Sequence, residues 1–158
     1  MKKEGQPKNL KGLIFIVLAL CLILLILANL IPFTTKVSGE YDAAILSFAT
    51  REQTGTTKVR FEGNYTRYLF NTLFQDRFEG EFYLEGNSVS ERYGAHAFAD
   101  FGKGLTWEKQ GLLACYNEEL NRLEFVGTIV QRAPLRSGYL ILTEPMTPGE
   151  DDLIVVFP

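Results

Sequence analysis

Residues 58–70 read KVRFEGNYTRYLF, and residues 77–84 read RFEGEFYL. In the first stretch Val59, Phe61, Tyr65 and Leu69 are apolar at odd spacing, with mostly polar or charged residues between them. In the second, Phe78, Phe82 and Leu84 fall on one face. A period of two marks a half-buried β-strand, because successive side chains point to opposite sides of the pleat. Arg60-Phe61-Glu62-Gly63 recurs letter for letter as Arg77-Phe78-Glu79-Gly80, and each copy has an aromatic two residues on, Tyr65 and Phe82. Leu123 to Ile129 carries a looser version, aromatic-x-Gly-x-apolar. A glycine inside a strand marks a bulge or a close approach by a neighbouring chain. The repeat therefore predicts adjacent strands whose large aromatics cover the glycines, with the Arg and Glu side chains turned outward as weak surface pairs.

Strand-like runs continue at Val89–Phe98, Leu105–Lys109, Leu112–Tyr116, Leu123–Gln131, Gly138–Thr143 and Leu153–Phe157. Short polar turns separate them, among them Glu85 to Ser88 and a hairpin connection between Tyr116 and Leu123. This spacing predicts an all-β fold, a small antiparallel β-sandwich or barrel over residues 56–158. Residues 34–55 read as a connector. Within it Tyr41, Ala44, Ile45 and Phe48 share one helical face, which favours a short helix over a first strand.

Toward the N-terminus, Leu13 to Ala28 is an uninterrupted apolar run, and Pro32 stands just beyond it. With its flanks the run makes a helix about 30 Å long, the thickness of a bilayer's hydrocarbon. It has no polar face to show to water, so a transmembrane helix over residues 13–33 is expected, with the membrane contacted by residues 13–31. Lys2, Lys3, Lys8 and Lys11 precede it against Glu4 alone, whereas Lys36 is the first basic residue after it. The positive-inside rule makes residues 1–12 a cytoplasmic basic tail and puts the rest outside.

Processing signals fit less well than an anchor. The exit Ile26-Leu27-Ala28-Asn29 lacks a small-x-small cleavage site. Cys21 sits between Leu20 and further apolar residues, unlike a lipoprotein cysteine. Lys11-Gly12 looks like a prepilin leader, but Val17 stands where such leaders carry glutamate.

The whole chain, 158 residues with 46% hydrophobic content and a net charge of −3, is too apolar for disorder and too poor in cysteine for a disulfide scaffold. Its pI near 5.3 argues against a dedicated nucleic-acid binder. Residues 34–158 hold 12 Lys and Arg against 18 Asp and Glu, a net of −6. Cys115 is the one cysteine outside the apolar run, so the exported part can form no internal disulfide; it reads as a buried structural thiol.

Signals for chemistry are thin. His96 is the only histidine, which removes any multi-histidine metal site. A triad of His96, Asp100 and Ser88 or Ser90 can be nominated, yet nothing in their spacing selects it. Gly102-Lys103-Gly104 reads as a turn, and Glu150-Asp151-Asp152 as a solvated turn lacking the alternating ligands of a calcium loop. Asn64-Tyr65-Thr66 is a glycosylation sequon, awkwardly placed in mid-strand. Trp107 with Tyr93 and Tyr139 would be the aromatics to line a groove. No catalytic, cofactor-binding or metal-binding residue is expected, and no cofactor.

The lysine-rich tail, the single span and the strands Phe61-Glu62-Gly63-Asn64-Tyr65 and Phe78-Glu79-Gly80-Glu81-Phe82 together resemble small single-pass membrane-anchored proteins of Gram-positive bacteria. That group carries no assigned activity. The expectation is an extracytoplasmic interaction or structural module at the cell envelope, a binder and not an enzyme. Its partner would be an envelope or membrane protein, not a nucleic acid. The alternatives are a domain binding a lipid, glycan or peptide, and, third, an envelope hydrolase.

Overall fold

The two RFEG segments lie on neighbouring strands and face each other. In the computed structural model, which describes residues 10–68, 74–102, 108–143 and 153–158, strand β2 (Gln53–Tyr68) pairs antiparallel with β3 (Asp76–Leu84). The register sets Phe61 against Phe82, Gly63 against Gly80 and Tyr65 against Phe78. The facing glycines are a steric necessity. A Cβ on Gly80 would fall 2.3 Å from the Glu62 carbonyl oxygen, and one on Gly63 would fall 2.7 Å from the Gly80 Cα. The flanking aromatics are buried and the Arg and Glu side chains of the repeat are exposed, as expected; Arg60 reaches Glu81, outside the repeat, at 3.6 Å.

Six further strands complete the sheet: β1 (Pro32–Ser47), β4 (Ala97–Phe101), β5 (Lys109–Asn117), β6 (Arg122–Ala133), β7 (Ser137–Leu142) and β8 (Leu153–Phe157). Each pairs antiparallel with the next in sequence, and β8 returns to β1, closing an eight-stranded up-and-down barrel. Of the two architectures expected, the barrel is the one formed. Inward positions are filled by Phe61, Phe78, Phe82, Phe101, Leu84, Leu113, Ile129, Leu140 and Val155, all essentially inaccessible to solvent. Small barrels of this strand number have just enough interior for side chains, and here phenylalanine fills it. Phe61 is the hub, its ring centre 5.1 Å from that of Phe82, 5.6 Å from Phe157 and 5.9 Å from Phe78.

Two local readings are corrected. Residues 41–48 are not a short helix: the connector supplies β1, paired with β2 from Pro32 to Leu46. Val89–Phe98 is not one strand. It holds helix α2 (Ser88–Tyr93), a 3-10 turn over Gly94–His96 and the start of β4. The Asn87 side chain caps α2 by accepting from the Ser90 N–H at 2.9 Å. The buried Ser90 hydroxyl accepts from the Leu84 N–H and donates to the Leu84 carbonyl, both at 3.0 Å, tying the helix to β3. Val89 and Tyr93 then pack on the core.

Ahead of the barrel, helix α1 (Leu10–Leu30) ends one residue before β1 begins. Its central part, Gly12 to Ala28, is about 26 Å long at ~1.5 Å per residue. On that measure no helix among the described residues is long and apolar enough to cross a membrane. One end of the barrel receives α1 and carries the β2–β3, β4–β5 and β6–β7 connections. The far end carries α2 and the β1–β2, β5–β6 and β7–β8 connections.

Candidate functional site

The barrel closes unevenly. β1 pairs with β2 along fifteen positions but meets β8 only at Ala44, Ile45, Leu46 and Ser47. Among the described residues, the edge of β1 from Pro32 to Ala43 has no strand beside it. The Ser47 N–H donates to the Glu52 carbonyl on the β2 side. Because the hydrogen-bonding side alternates along an antiparallel strand, Lys36, Ser38, Glu40 and Asp42 turn their N–H and C=O groups toward the open edge. Such a row of backbone donors and acceptors is a template for another extended chain.

Below this edge the seam opens into a cleft of about 270 Å³ between β1 and the β6–β7 turn. Phe61, Tyr41, Val37 and Leu135 give it an apolar floor, and Lys36 and Arg136 stand at its rim. The turn is held in an unusual shape. Leu135 has a positive φ of 51° and is nonetheless 2% exposed. A left-handed leucine costs about 1–2 kcal/mol. Burial offsets that cost, as does a hydrogen bond from the Leu135 N–H to Gln131 Oε1 at 2.8 Å.

Gln131 belongs to a buried polar network at the same end of the barrel. Its amide donates to the Tyr65 hydroxyl at 2.8 Å, and that hydroxyl donates to Asp76 Oδ2 at 3.2 Å. Asp76, 1% exposed, also accepts from the Tyr68 N–H at 3.2 Å and from the Lys109 ammonium. Burial, followed by the neighbouring Asp76 charge, pushes the Tyr65 phenol well above its ordinary pKa, so it stays a neutral donor. Every polar group in the network finds a partner. It braces strands β2, β3, β5 and β6 beside the cleft, and its geometry is that of a support.

The nominated catalytic residues do not converge. His96 is exposed and lies 3.2 Å from Glu118. Asp100 is engaged on the outer wall by Arg77, at 2.6 and 3.2 Å. The Ser90 hydroxyl is consumed by backbone groups, and Ser88 opens α2. Tyr93 packs on the core and Tyr139 is partly exposed on β7, so they share no groove. Tyr139 instead lines an outer hollow of about 230 Å³ with Arg132 and Val156. Trp107, Lys103, Gly104 and Glu150 to Asp152 lie outside the described residues, whereas Gly102 donates its N–H to the Gln110 carbonyl at 2.7 Å. Asn64 is exposed on β2, opposite Lys36. Among the described residues no group of three or more His, Cys, Asp or Glu is placed to hold a metal ion.

Cys115 is fully buried, and burial pushes its thiol up to about 12. Well below pH 9 both folded and unfolded chains carry the neutral thiol. Between about 9 and 12 the unfolded chain loses the proton first, so stability falls as pH rises through that window. Alkylation at pH 8 is therefore expected to modify Cys115 only after denaturation, as read by mass spectrometry of peptides from native and urea-treated protein. Ready labelling of the native chain would show that the barrel wall opens there.

Sequence reading missed one surface. Leu112, Leu123 and Phe125 are 58%, 46% and 51% exposed on the outside of β5 and β6. Their alternation matches a strand, but the extra residue in β6 where Leu113/Ala114 meet Gly127/Phe125 shifts the register and hides which face is outward. Compared with protein-family models, curated proteins and solved structures, the chain finds no match.

Proposed function

We propose that this protein is a membrane-anchored extracytoplasmic module that binds an extended segment of an envelope or membrane protein by adding it as a strand to β1. The observation that carries the reading is the edge from Pro32 to Ala43, unpaired among the described residues and beside a cleft. Main-chain hydrogen bonds along such an edge supply affinity, and pockets beside it supply selectivity. The anchor is argued from α1, whose consecutive residues from Leu13 to Leu18 are all at least half exposed, so apolar side chains project on every side. A helix apolar all round is either a buried core helix or a membrane span. The apolar part of α1, Gly12 to Ala28, measures about 26 Å, and a bilayer thins to meet a slightly short span. The lysines before it favour a cytoplasmic N-terminus.

A second copy is a poor occupant of the edge. Two β1 strands paired antiparallel would send their α1 helices in opposite directions, which one membrane does not allow when the strands stand upright on it. The seam cleft favours a second reading, a site for a small amphiphile with an anionic group near Lys36 and Arg136.

The test is Ser38→Pro. Proline removes an outward N–H, leaves the β2 ladder intact and blunts the edge. The expected result is an unchanged far-UV spectrum and melting temperature, with recovery of one mass-identified partner from mild detergent reduced about tenfold, equivalent to about 1.4 kcal/mol. Equal recovery with the variant, or an inert monomer under several extraction conditions, would overturn the reading.

A further inference from the structure

We infer that the α1-proximal end of the barrel is itself a lipid-binding surface, seated in the headgroup layer of the membrane that holds α1. The inference rests on the proposed anchor and adds a second contact to it. Only Ile31 separates Leu30 from Pro32. At ~3.3 Å per extended residue, Phe33 lies within about 10 Å of the helix end, so it sits within or at the outer limit of the headgroup layer, about 5–7.5 Å deep. With α1 in the membrane, the first residues of β1 are held at its surface, so what they and their neighbours expose stands against headgroups.

What they expose suits that place. Phe33 is 49% and Phe74 is 44% exposed, large areas for phenylalanine. Phe74 stacks on Tyr68 with ring centres 4.8 Å apart, and Tyr68 is paired with Pro32 across the β1–β2 ribbon. Phe33 faces Arg67 in the same ribbon. Aromatics flanked by long cationic side chains are the residues that settle at a membrane interface, rings toward the acyl boundary and charges among the phosphates.

Charge is arranged accordingly. At the α1-proximal end Lys109, Arg77 and Arg132 are neutralised by Asp76, Asp100 and Glu108. Lys36, Arg67 and Arg136 have no acidic partner within 4 Å among the described residues. At the far end the described turns and α2 carry Glu52, Glu85, Glu91, Glu118 and Glu119 against Arg51 and Arg92, which gives the opposite sign. The net −6 of the exported part is therefore an average over a barrel that is polarised, its acidic end held away from anionic lipid. A protein partner at this end would have to displace lipid from residues tied directly to the anchor, which is why lipid is the occupant inferred.

The experiment uses the full chain with Trp107→Phe, so that one added tryptophan reports alone. Phe74→Trp and, at the far β5–β6 turn, Leu120→Trp are each reconstituted in vesicles of phosphatidylcholine and phosphatidylglycerol containing lipids brominated high on the acyl chain. The Phe74→Trp reporter should be quenched at least about twofold more than Leu120→Trp and emit further to the blue. Phe33→Trp repeats the measurement from the other face of the ribbon, should Phe74→Trp fail to fold. Alkaline carbonate extraction of the same vesicles keeps two failures apart. A chain that washes off refutes the anchor. A chain retained, with equal quenching at both reporters, refutes lipid docking alone. Shielding of the reporter in native membranes but not in pure lipid assigns the end to a protein partner and overturns the inference.

Discussion

Replacing Phe61 by alanine is expected to destabilise the barrel by about 3–5 kcal/mol, a large fraction of what a domain of this size possesses. The ring is 1% exposed and touches the aromatic side chains of β3 and β8, so it joins the first hairpin to the strand that closes the barrel. Truncation removes the buried area and leaves a cavity whose lining, itself aromatic, cannot collapse into it. Denaturant titration of the full chain in a mild detergent, followed by near-UV dichroism, measures the loss. Leu112→Ala is the control. Leu112 is 58% exposed, and its truncation should change stability by less than about 0.5 kcal/mol. Equal effects at the two positions would mean that the phenylalanine cluster is not what holds the barrel shut.

The second large effect is expected at Asp76. Asp76→Ala deprives the Tyr65 hydroxyl, the Tyr68 N–H and the Lys109 ammonium of their common acceptor. Removing one member of a buried ion pair costs about 3–5 kcal/mol. Here the lysine side chain keeps 22% exposure and can recover some water, so a loss of about 2–4 kcal/mol is expected. The informative companion is the double variant Asp76→Leu/Lys109→Met. Replacing the pair by apolar residues removes both charges together, and it should lie much closer to the parent than Asp76→Ala does. A double variant as damaged as the single one would show that the hydrogen bonds to Tyr65 and Tyr68, not the charge pair, carry the stability. The exposed Arg77–Asp100 pair is bidentate in geometry but solvated, and breaking it should cost under about 1 kcal/mol.

How far these features could be read from sequence depends on the range of the interactions that fix them. The strands β2 and β3 and their inward aromatics were legible from alternation and the RFEG repeat. Their register, glycine against glycine, was not, because it is set by the pairing itself and not by the spacing of the repeat. Residues 41–48 misled because Tyr41 and Ile45 satisfy both a period of two and a helical spacing. Pairing with β2, a contact distant in sequence, decided between them. Residues 89–98 misled for a different reason. Their short helix is held by Asn87 and Ser90, a cap at its start and a clasp back to Leu84, and neither shows as hydrophobic periodicity. The Asp76 network was invisible. Tyr65, Asp76, Lys109 and Gln131 each look like an ordinary polar residue near a strand end, and only closure of the barrel brings them together.

The near-absence of a linker between α1 and β1 also couples the barrel mechanically to the helix. A pull on α1 enters the sheet through β1, whose fifteen paired positions with β2 resist sliding together. The four positions shared with β8 are the weak link. Tension along the helix would be expected to slip the seam first, parting Phe61 from Phe157 and lengthening the stretch of β1 that β8 leaves uncovered while the β1–β2 ribbon stays intact. A force along α1 would thus be read out as the length of β1 left uncovered by β8.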